Sequence, residues 1–201
     1  MDKNKKSLDA SFFNELYERN QDPWNFEESL YEKNKYEETM RMIPGQRYLS
    51  GFEIGCANGL LTLMLRQRCE QLLAVDASRI AVTNAKNRLK EYADVSIEEM
   101  EIPVDFPDGK FDLILFSEVG YFLNEQDLVT ARNKMIDSLL PGGHLLLVHW
   151  RPPVAEFPLT GDDVHALFLS VAGEGASDPI VHLKQHMETQ YRMDLFVRKP
   201  F

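Results

Sequence analysis

The stretch Phe52-Glu53-Ile54-Gly55-Cys56-Ala57-Asn58-Gly59, followed by Leu60-Leu61-Thr62-Leu63-Met64-Leu65, decides the fold. It reads as the end of a strand, a glycine turn and the start of a helix. Glu53 stands where a buried strand would come out into solvent. Gly55 and Gly59 permit a sharp turn and a close backbone approach that a Cβ would block. Leu61, Met64 and Leu65 then recur at helical spacing. A helix N-terminus beside glycines offers free N–H donors and partial positive charge, which suits a ligand with a carboxylate or polar tail. The dinucleotide fingerprint G-x-G-x-x-G fails, because Ala57 and Leu60 occupy two of its three glycine positions, and the Gly-Lys-Ser/Thr end of a phosphate loop is absent.

About twenty residues past the turn, the apolar run Leu72-Leu73-Ala74-Val75 ends in Asp76. In nucleotide-binding βαβ units an acid at this distance bonds the two ribose hydroxyls. The alternative for Asp76 is a solvated helix cap, because Ala77-Ser78 leads into a helix carrying Ile80, Ala81, Asn84 and Ala85. Further on, Val95-Ser96-Ile97 predicts a short third strand. Phe111 to Phe116 predicts a buried fourth, apolar almost throughout as parallel sheets require. Ligands bind at the carboxyl ends of such strands. That makes Ser117, Glu118 and Tyr121 candidates for cofactor or substrate contact. A helix from Asn124 turns Leu128, Ala131, Met135 and Leu139 inward and stops at Pro141-Gly142-Gly143. A fifth strand, His144 to Val148, delivers His149, Trp150 and Arg151 to the same edge. Thr160 is the expected N-cap of a helix through Phe168, and strands near 181–187 and 190–198 form an antiparallel pair closing the sheet.

Two helices precede the first strand. Phe12, Phe13, Leu16 and Tyr17 mark one. The other starts at Ser29, with Glu32 three residues on as a capping box, turns Tyr36, Met40 and Ile43 to one side and stops at Pro44-Gly45. Residues 1 to about 8 are expected to be a disordered tail. The division expected is a helical lid over 1–48 and a sheet domain over 49–201. In the lid, Tyr17, Trp24 and Tyr31 would close over a ligand and exclude water; padding of the sheet is the alternative.

The formal net charge of -10 argues against a nucleic-acid backbone as partner. Two cysteines make no disulfide framework, so a reducing, cytoplasmic setting is expected. No apolar run is long enough to span a bilayer, the first residues lack the apolar stretch of a signal peptide, and no His/Cys/Asp spacing suits a metal.

The pattern E-x-G-x-A-x-G from Glu53 to Gly59, the Asp76-Ala77-Ser78 helix start and the Leu140-Pro141-Gly142-Gly143 turn resemble the motifs of Rossmann-like (class I) S-adenosylmethionine-dependent methyltransferases. Asp22-Pro23-Trp24, Tyr31-Glu32-Lys33, Ser117-Glu118-Val119-Gly120-Tyr121, His149-Trp150-Arg151 and Pro158-Leu159-Thr160-Gly161-Asp162 narrow the resemblance to the nodulation protein S (NodS-like) type, from about residue 12 to the end. That resemblance implies a seven-stranded, mostly parallel sheet with an antiparallel last strand and helices between the first five. It implies S-adenosylmethionine as cofactor, leaving as S-adenosylhomocysteine. Its cofactor site would comprise Glu53 with Gly55, Cys56, Ala57 and Gly59 at the methionine end, Asp76 and Ala77 at the ribose, and Met100, Glu101 and Ile102 at the adenine. Ser117, Glu118 and Trp24 would complete it. A solvated acidic loop is the alternative for Glu101.

The family's namesakes N-methylate the free amine of a deacetylated chitin-like oligosaccharide. The resemblance therefore implies a small-molecule acceptor, with a sugar deacetylase as a companion activity. Tyr121, Trp150, Arg151 and His165 are the expected acceptor contacts. His149 is the expected general base, with a structural histidine bonding a loop carbonyl as its alternative. Methylation of a hydroxyl, and a non-catalytic cofactor-binding role, stay open beside the N-methyltransferase reading, as does the oligomeric state.

Overall fold

Apolar side chains on both faces of the central strands require helices on both sides of the sheet: Leu113 to Phe116 and Leu145 to Val148 are all buried. The computed structural model describes residues 5–45 and 47–200. The strands are Tyr48–Ile54 (β1), Cys69–Asp76 (β2), Val95–Glu99 (β3), Phe111–Ser117 (β4), Leu139–Trp150 (β5), Ile180–Met187 (β6) and Tyr191–Arg198 (β7). They lie in the order β3-β2-β1-β4-β5-β7-β6. β1 pairs in parallel with both β2 and β4, and β7 runs antiparallel between β5 and β6. The expected reversed last strand is therefore present. The order changes direction at β1, which opens a crevice at the carboxyl ends of β1 and β4.

The helices are Ala10–Arg19 (α1), Leu30–Met42 (α2), Leu60–Leu65 (α3), Arg79–Leu89 (α4), Glu125–Ser138 (α5) and Gly161–Leu169 (α6). α5 and α6 bury Leu128, Ala131, Met135, Val164 and Phe168 against Phe52, Ile114, Phe116 and Leu147 on one face. On the other, α2 and α3 bring Met42, Leu61 and Leu65 against Tyr48, Leu72, Leu113 and Leu115. α1 packs outside α4 and beside the mouth of the crevice.

Several expectations need correction. The connection from β3 to β4 holds no helix, so helices follow only β1, β2 and β4 among the first four strands. Of the expected tail, residues 1–4 lie outside the described residues, but 5–8 are bonded to the body. Leu8 N–H donates to Phe122 O at 2.9 Å, and Ser7 Oγ accepts from Asn124 N–H at 2.9 Å. The buried stripe of α2 is Lys35, Thr39 and Met42, one residue out of phase with the expected one, although Ile43 is also buried. The capping box at Ser29 is half made. Ser29 Oγ accepts Glu32 N–H at 3.2 Å, but the Ser29 N–H is taken by Asn25 O, and Glu32 turns elsewhere. A complete box forms instead at Thr160 and Asp163, at the start of α6. Among the described residues no helix is long and apolar enough to cross a membrane.

Candidate active site

The turn after β1 is held from below and from the side. Gly55 (φ +90°), Ala57 (φ +48°) and Gly59 (φ +82°) are left-handed, a conformation that costs a residue with a Cβ more than a glycine. A Cβ on Gly55 would stand 2.7 Å from Ser117 O and run into Val119 Cγ2. The glycine thus lets the end of β1 lie directly against the end of β4. Gly55 N–H and Cys56 N–H both donate to Val75 O, tying the turn to β2. Asp76 ties it a second time. Its Oδ2 accepts Ala57 N–H at 3.0 Å and its Oδ1 accepts Ser78 N–H at 2.9 Å. Burial pushes the Asp76 carboxyl upward, while the Ser78, Ala57 and Ala77 N–H groups oppose the rise.

Glu53 does not emerge into solvent. It is fully buried, and neither carboxylate oxygen has a hydrogen-bond partner. Burial pushes its pKa up to about 8; the neighbouring Thr62 hydroxyl opposes the rise, and the Asp76 charge adds to it. An unpaired charge in such a place is costly, which favours the protonated acid. The Thr62 hydroxyl, also buried, lacks a partner too. Cys56 is buried and free, its thiol pushed up chiefly by burial.

Above the turn lies a cavity of about 410 Å³. Gly55, Ala57, Asp76 and Ser117 line its floor. Phe13, Tyr17, Trp24 and Phe26, from the N-terminal helices and the loop between them, form one wall. Their rings are packed: Tyr17 meets Trp24 edge-on at 5.7 Å, and Trp24 meets Phe26 at 5.6 Å. The Tyr17 hydroxyl is buried and unpartnered. The opposite wall carries Tyr121, Phe122, Trp150, Val154 and Phe157, with Tyr121 stacked on Phe157 at 5.3 Å.

Three charged residues meet at the cavity. Lys35, from the buried stripe of α2, donates from Nζ to Glu118 Oε1 at 2.7 Å and to Glu32 Oε1 at 3.1 Å. Burial alone would lower the Lys35 pKa, but the two carboxylates outweigh it and hold the amine raised and charged. Glu118 follows β4 with φ +58°, an uncommon conformation for a residue with a side chain. Its Oε2 accepts Tyr121 OH at 2.5 Å and Trp150 N–H at 2.9 Å.

The expected base is not available. His149 is fully buried, and both ring nitrogens are engaged. Gly120 N–H donates to Nε2 at 3.1 Å, so the proton sits on Nδ1, which donates to His165 Nε2 at 3.1 Å. His165 in turn donates from Nδ1 to Asp194 Oδ2 at 2.6 Å. Burial pushes both histidines below their ordinary pKa, most strongly at His149, where His165 and Lys35 act the same way. His149 has no lone pair to offer an acceptor, and neither it nor His165 lines the cavity. Arg151 is also turned away, paired with Asp162 and donating to Glu188 O.

The structure gathers Trp24, Gly55, Ala57, Asp76, Ser117, Glu118, Tyr121 and Trp150 around one cavity. Cys56, Gly59 and Ala77 belong to the supporting turns behind it. Met100, Glu101 and Ile102 do not line it: Met100 N–H bonds Asp76 O, Glu101 N–H bonds Asp105, and Ile102 is in the core. Glu32 and Lys35 are the charged cavity residues that sequence reasoning missed. Nothing local marks them: Lys35 falls at helical spacing with Thr39 and Met42, but a lysine there reads as solvated.

The family model described as nodulation protein S (NodS) matches residues 11–156. The chain belongs to the nodulation protein S family. Nodulation protein S of Sinorhizobium fredii is 27% identical over 128 residues, covering 63% of this chain and 59% of that protein. That of Bradyrhizobium diazoefficiens is 28% identical over 137 residues, covering 67% and 66%. The chain spans about three-fifths of the length of the curated relatives it matches. Among solved structures, the N-methyltransferase NodS of Bradyrhizobium japonicum, in complex with S-adenosylhomocysteine, superposes with a TM-score of 0.81 at 23% identity, over 92% of this chain and 97% of that one. A Pseudomonas syringae protein proposed to be a methyltransferase gives 0.72 at 35% identity, over 85% and 100%. The fold of this family member is the Rossmann-like class I methyltransferase fold.

Proposed function

We propose that this chain is an S-adenosylmethionine-dependent methyltransferase that acts on a small molecule, with an amine nitrogen, such as that of an amino sugar, as the methylated atom. One observation carries the proposal: an aromatic-walled cavity floored by the glycine turn and Asp76, with two carboxylates and one ammonium at its side. Each Asp76 oxygen accepts one backbone N–H and keeps further acceptor capacity, which suits the two hydroxyls of a ribose. The unpartnered Tyr17 hydroxyl in the wall suits a polar ligand as well. The family relationship supports the same cofactor, and a relative named as an N-methyltransferase supports nitrogen as acceptor.

Bound there, S-adenosylmethionine supplies an electrophilic methyl group on a sulfonium. The chain's own part is then positioning and exclusion of water. Phe13, Tyr17, Trp24 and Phe26 cover the floor from one side and Phe157 and Trp150 from the other. Residues 1–48 act in this reading as the lid, and a sugar deacetylase is the class of enzyme that would expose the acceptor amine.

Calorimetry tests the cofactor. S-adenosylmethionine and S-adenosylhomocysteine should bind and raise the thermal midpoint, because a ligand of the native state alone stabilises it. Absence of both, with tight binding of a nicotinamide dinucleotide, would overturn the proposal.

A further inference from the structure

Two carboxylates and one ammonium leave one negative charge uncompensated at the wall of a largely aromatic cavity. The two carboxylates are not equivalent. Glu118 is held from three directions, by Lys35, Tyr121 OH and Trp150 N–H. Glu32 has Lys35 as its one partner; its Oε2 lies 2.9 Å from Lys35 Nζ yet makes no directed hydrogen bond. Glu32 lines the cavity, its side chain 12% exposed. A second, independent observation is the buried, unpartnered Tyr17 hydroxyl, which also lines the cavity. The surplus carboxylate charge suits a cationic guest, and the unfilled Tyr17 hydroxyl suits a polar one.

We infer that Glu32 receives the proton of the acceptor's ammonium and that Lys35 is the positioning residue that holds it, an assignment that rests on the methyltransferase reading. The balance is simple. Glu32 carboxylate takes one proton from R–NH₃⁺, leaving R–NH₂ with a free lone pair. That nitrogen forms the N–CH₃ bond as the C–S bond breaks, and the proton on Glu32 passes to solvent. The groups facing Glu32 are Lys35, Tyr31 and Tyr36 on its own helix, Glu118 and Tyr121 after β4, and Asp22 before α2. Burial raises the Glu32 carboxyl, Glu118 and Asp22 raise it further, and Lys35 restrains the rise. A carboxylate so placed is a better proton acceptor than a solvated one. The aromatic walls favour a cation as well.

The experiment compares wild type with the isosteric Glu32→Gln and the charge-preserving Glu32→Asp. A deacetylated chitin oligosaccharide and a panel of small amines and alcohols serve as acceptors, and S-adenosylmethionine and S-adenosylhomocysteine binding is measured separately by calorimetry. Glu32→Gln should bind both ligands within about twofold of wild type. It should lose roughly 10²-fold in turnover, and the acidic limb of its pH–rate profile should disappear. Glu32→Asp should regain part of the rate. A Glu32→Gln enzyme that keeps rate and acidic limb overturns the assignment. So does selective loss of S-adenosylmethionine affinity with S-adenosylhomocysteine unaffected, which would assign the surplus charge to the sulfonium. So does a wild type that methylates alcohols and no amine. A wild type that binds neither cofactor ligand fails the methyltransferase reading itself, a result distinct from all of these.

Discussion

Two buried polar chains run through this protein within a few residues of each other, and they end differently. Lys35, Glu32 and Glu118 open on the cavity and carry one charge more than they cancel. His149, His165 and Asp194 are sealed. Each donor there has an acceptor, and Asp194 takes bonds from His165, His182, Gln185 and Arg192. Burial alone would raise the Asp194 carboxyl, but the bonds from His165 and Arg192 outweigh it and hold it low. Buried titratable groups are common to both chains, so burial does not distinguish a working site. Spare bonding capacity facing a cavity does.

The sharpest way to break this comparison is to remove Asp194. Asp194→Ala leaves Arg192 and the two histidines without their shared anion and should cost about 3–5 kcal/mol of stability. Denaturant unfolding measures the loss, and cofactor affinity should survive in whatever remains folded. Cofactor affinity lost in proportion would mean that the sealed chain is part of the site.

Next in size is Asp76→Ala. Loss of hydrogen bonds to a charged acceptor costs roughly 1.5–3 kcal/mol each, so S-adenosylhomocysteine affinity should fall at least about tenfold by calorimetry. An unchanged affinity would reduce Asp76 to a cap for the two turns.

A smaller effect separates the two chains by pH. His149 and His165 are depressed in the folded protein, so between their folded values and the unfolded value near 6.5 only the unfolded chain binds their protons. Their contribution is complete above about pH 6.5 and is lost as pH falls below it, at about 1.4 kcal/mol per unit for each group still neutral. Glu53, raised to about 8, acts with the opposite sign: stability declines as pH rises from the ordinary carboxyl range towards 8. Thermal melts across pH should show both limbs, and Glu53→Gln should flatten the upper one. A Glu53→Gln melt that keeps the alkaline decline would place its origin elsewhere.

The smallest expected change is in the catalysis of His149→Ala. It leaves Gly120 N–H and His165 Nε2 without partners, which should cost about 1–3 kcal/mol of stability. The rate per folded molecule should stay within about threefold of wild type, because a lost general base would cost 10²-fold or more. Loss of the acidic limb in this variant, rather than in Glu32→Gln, would return His149 to the chemistry.

The glycine turn and Asp76 were legible because their chemistry is local: a left-handed backbone favours glycine, and an acid at a strand end follows at fixed spacing. His149 misled because its position along β5 was right and its face was wrong. Strand side chains alternate, and His149 shares the face of Leu145 and Leu147, beneath α6. Lys35 was invisible for a different reason. A lysine in an amphipathic helix reads as solvated, and only its partner 83 residues away reveals that it is not. The capping box misread at Ser29 has another origin, since Glu32 accepts from Lys35 one turn further along its own helix rather than reaching back to the Ser29 N–H.

The placement of the aromatic wall bears on how such a protein can diversify. Phe13, Tyr17, Trp24 and Phe26 come from one uninterrupted segment that ends before β1, so a single recombination junction upstream of Tyr48 exchanges all four at once. The Lys35–Glu118 pair crosses that junction. A hybrid gene would remain functional only when the incoming segment brings a cation for Glu118. Positions 35 and 118 should therefore covary among natural chimaeras, while the ring-bearing positions drift with the acceptor.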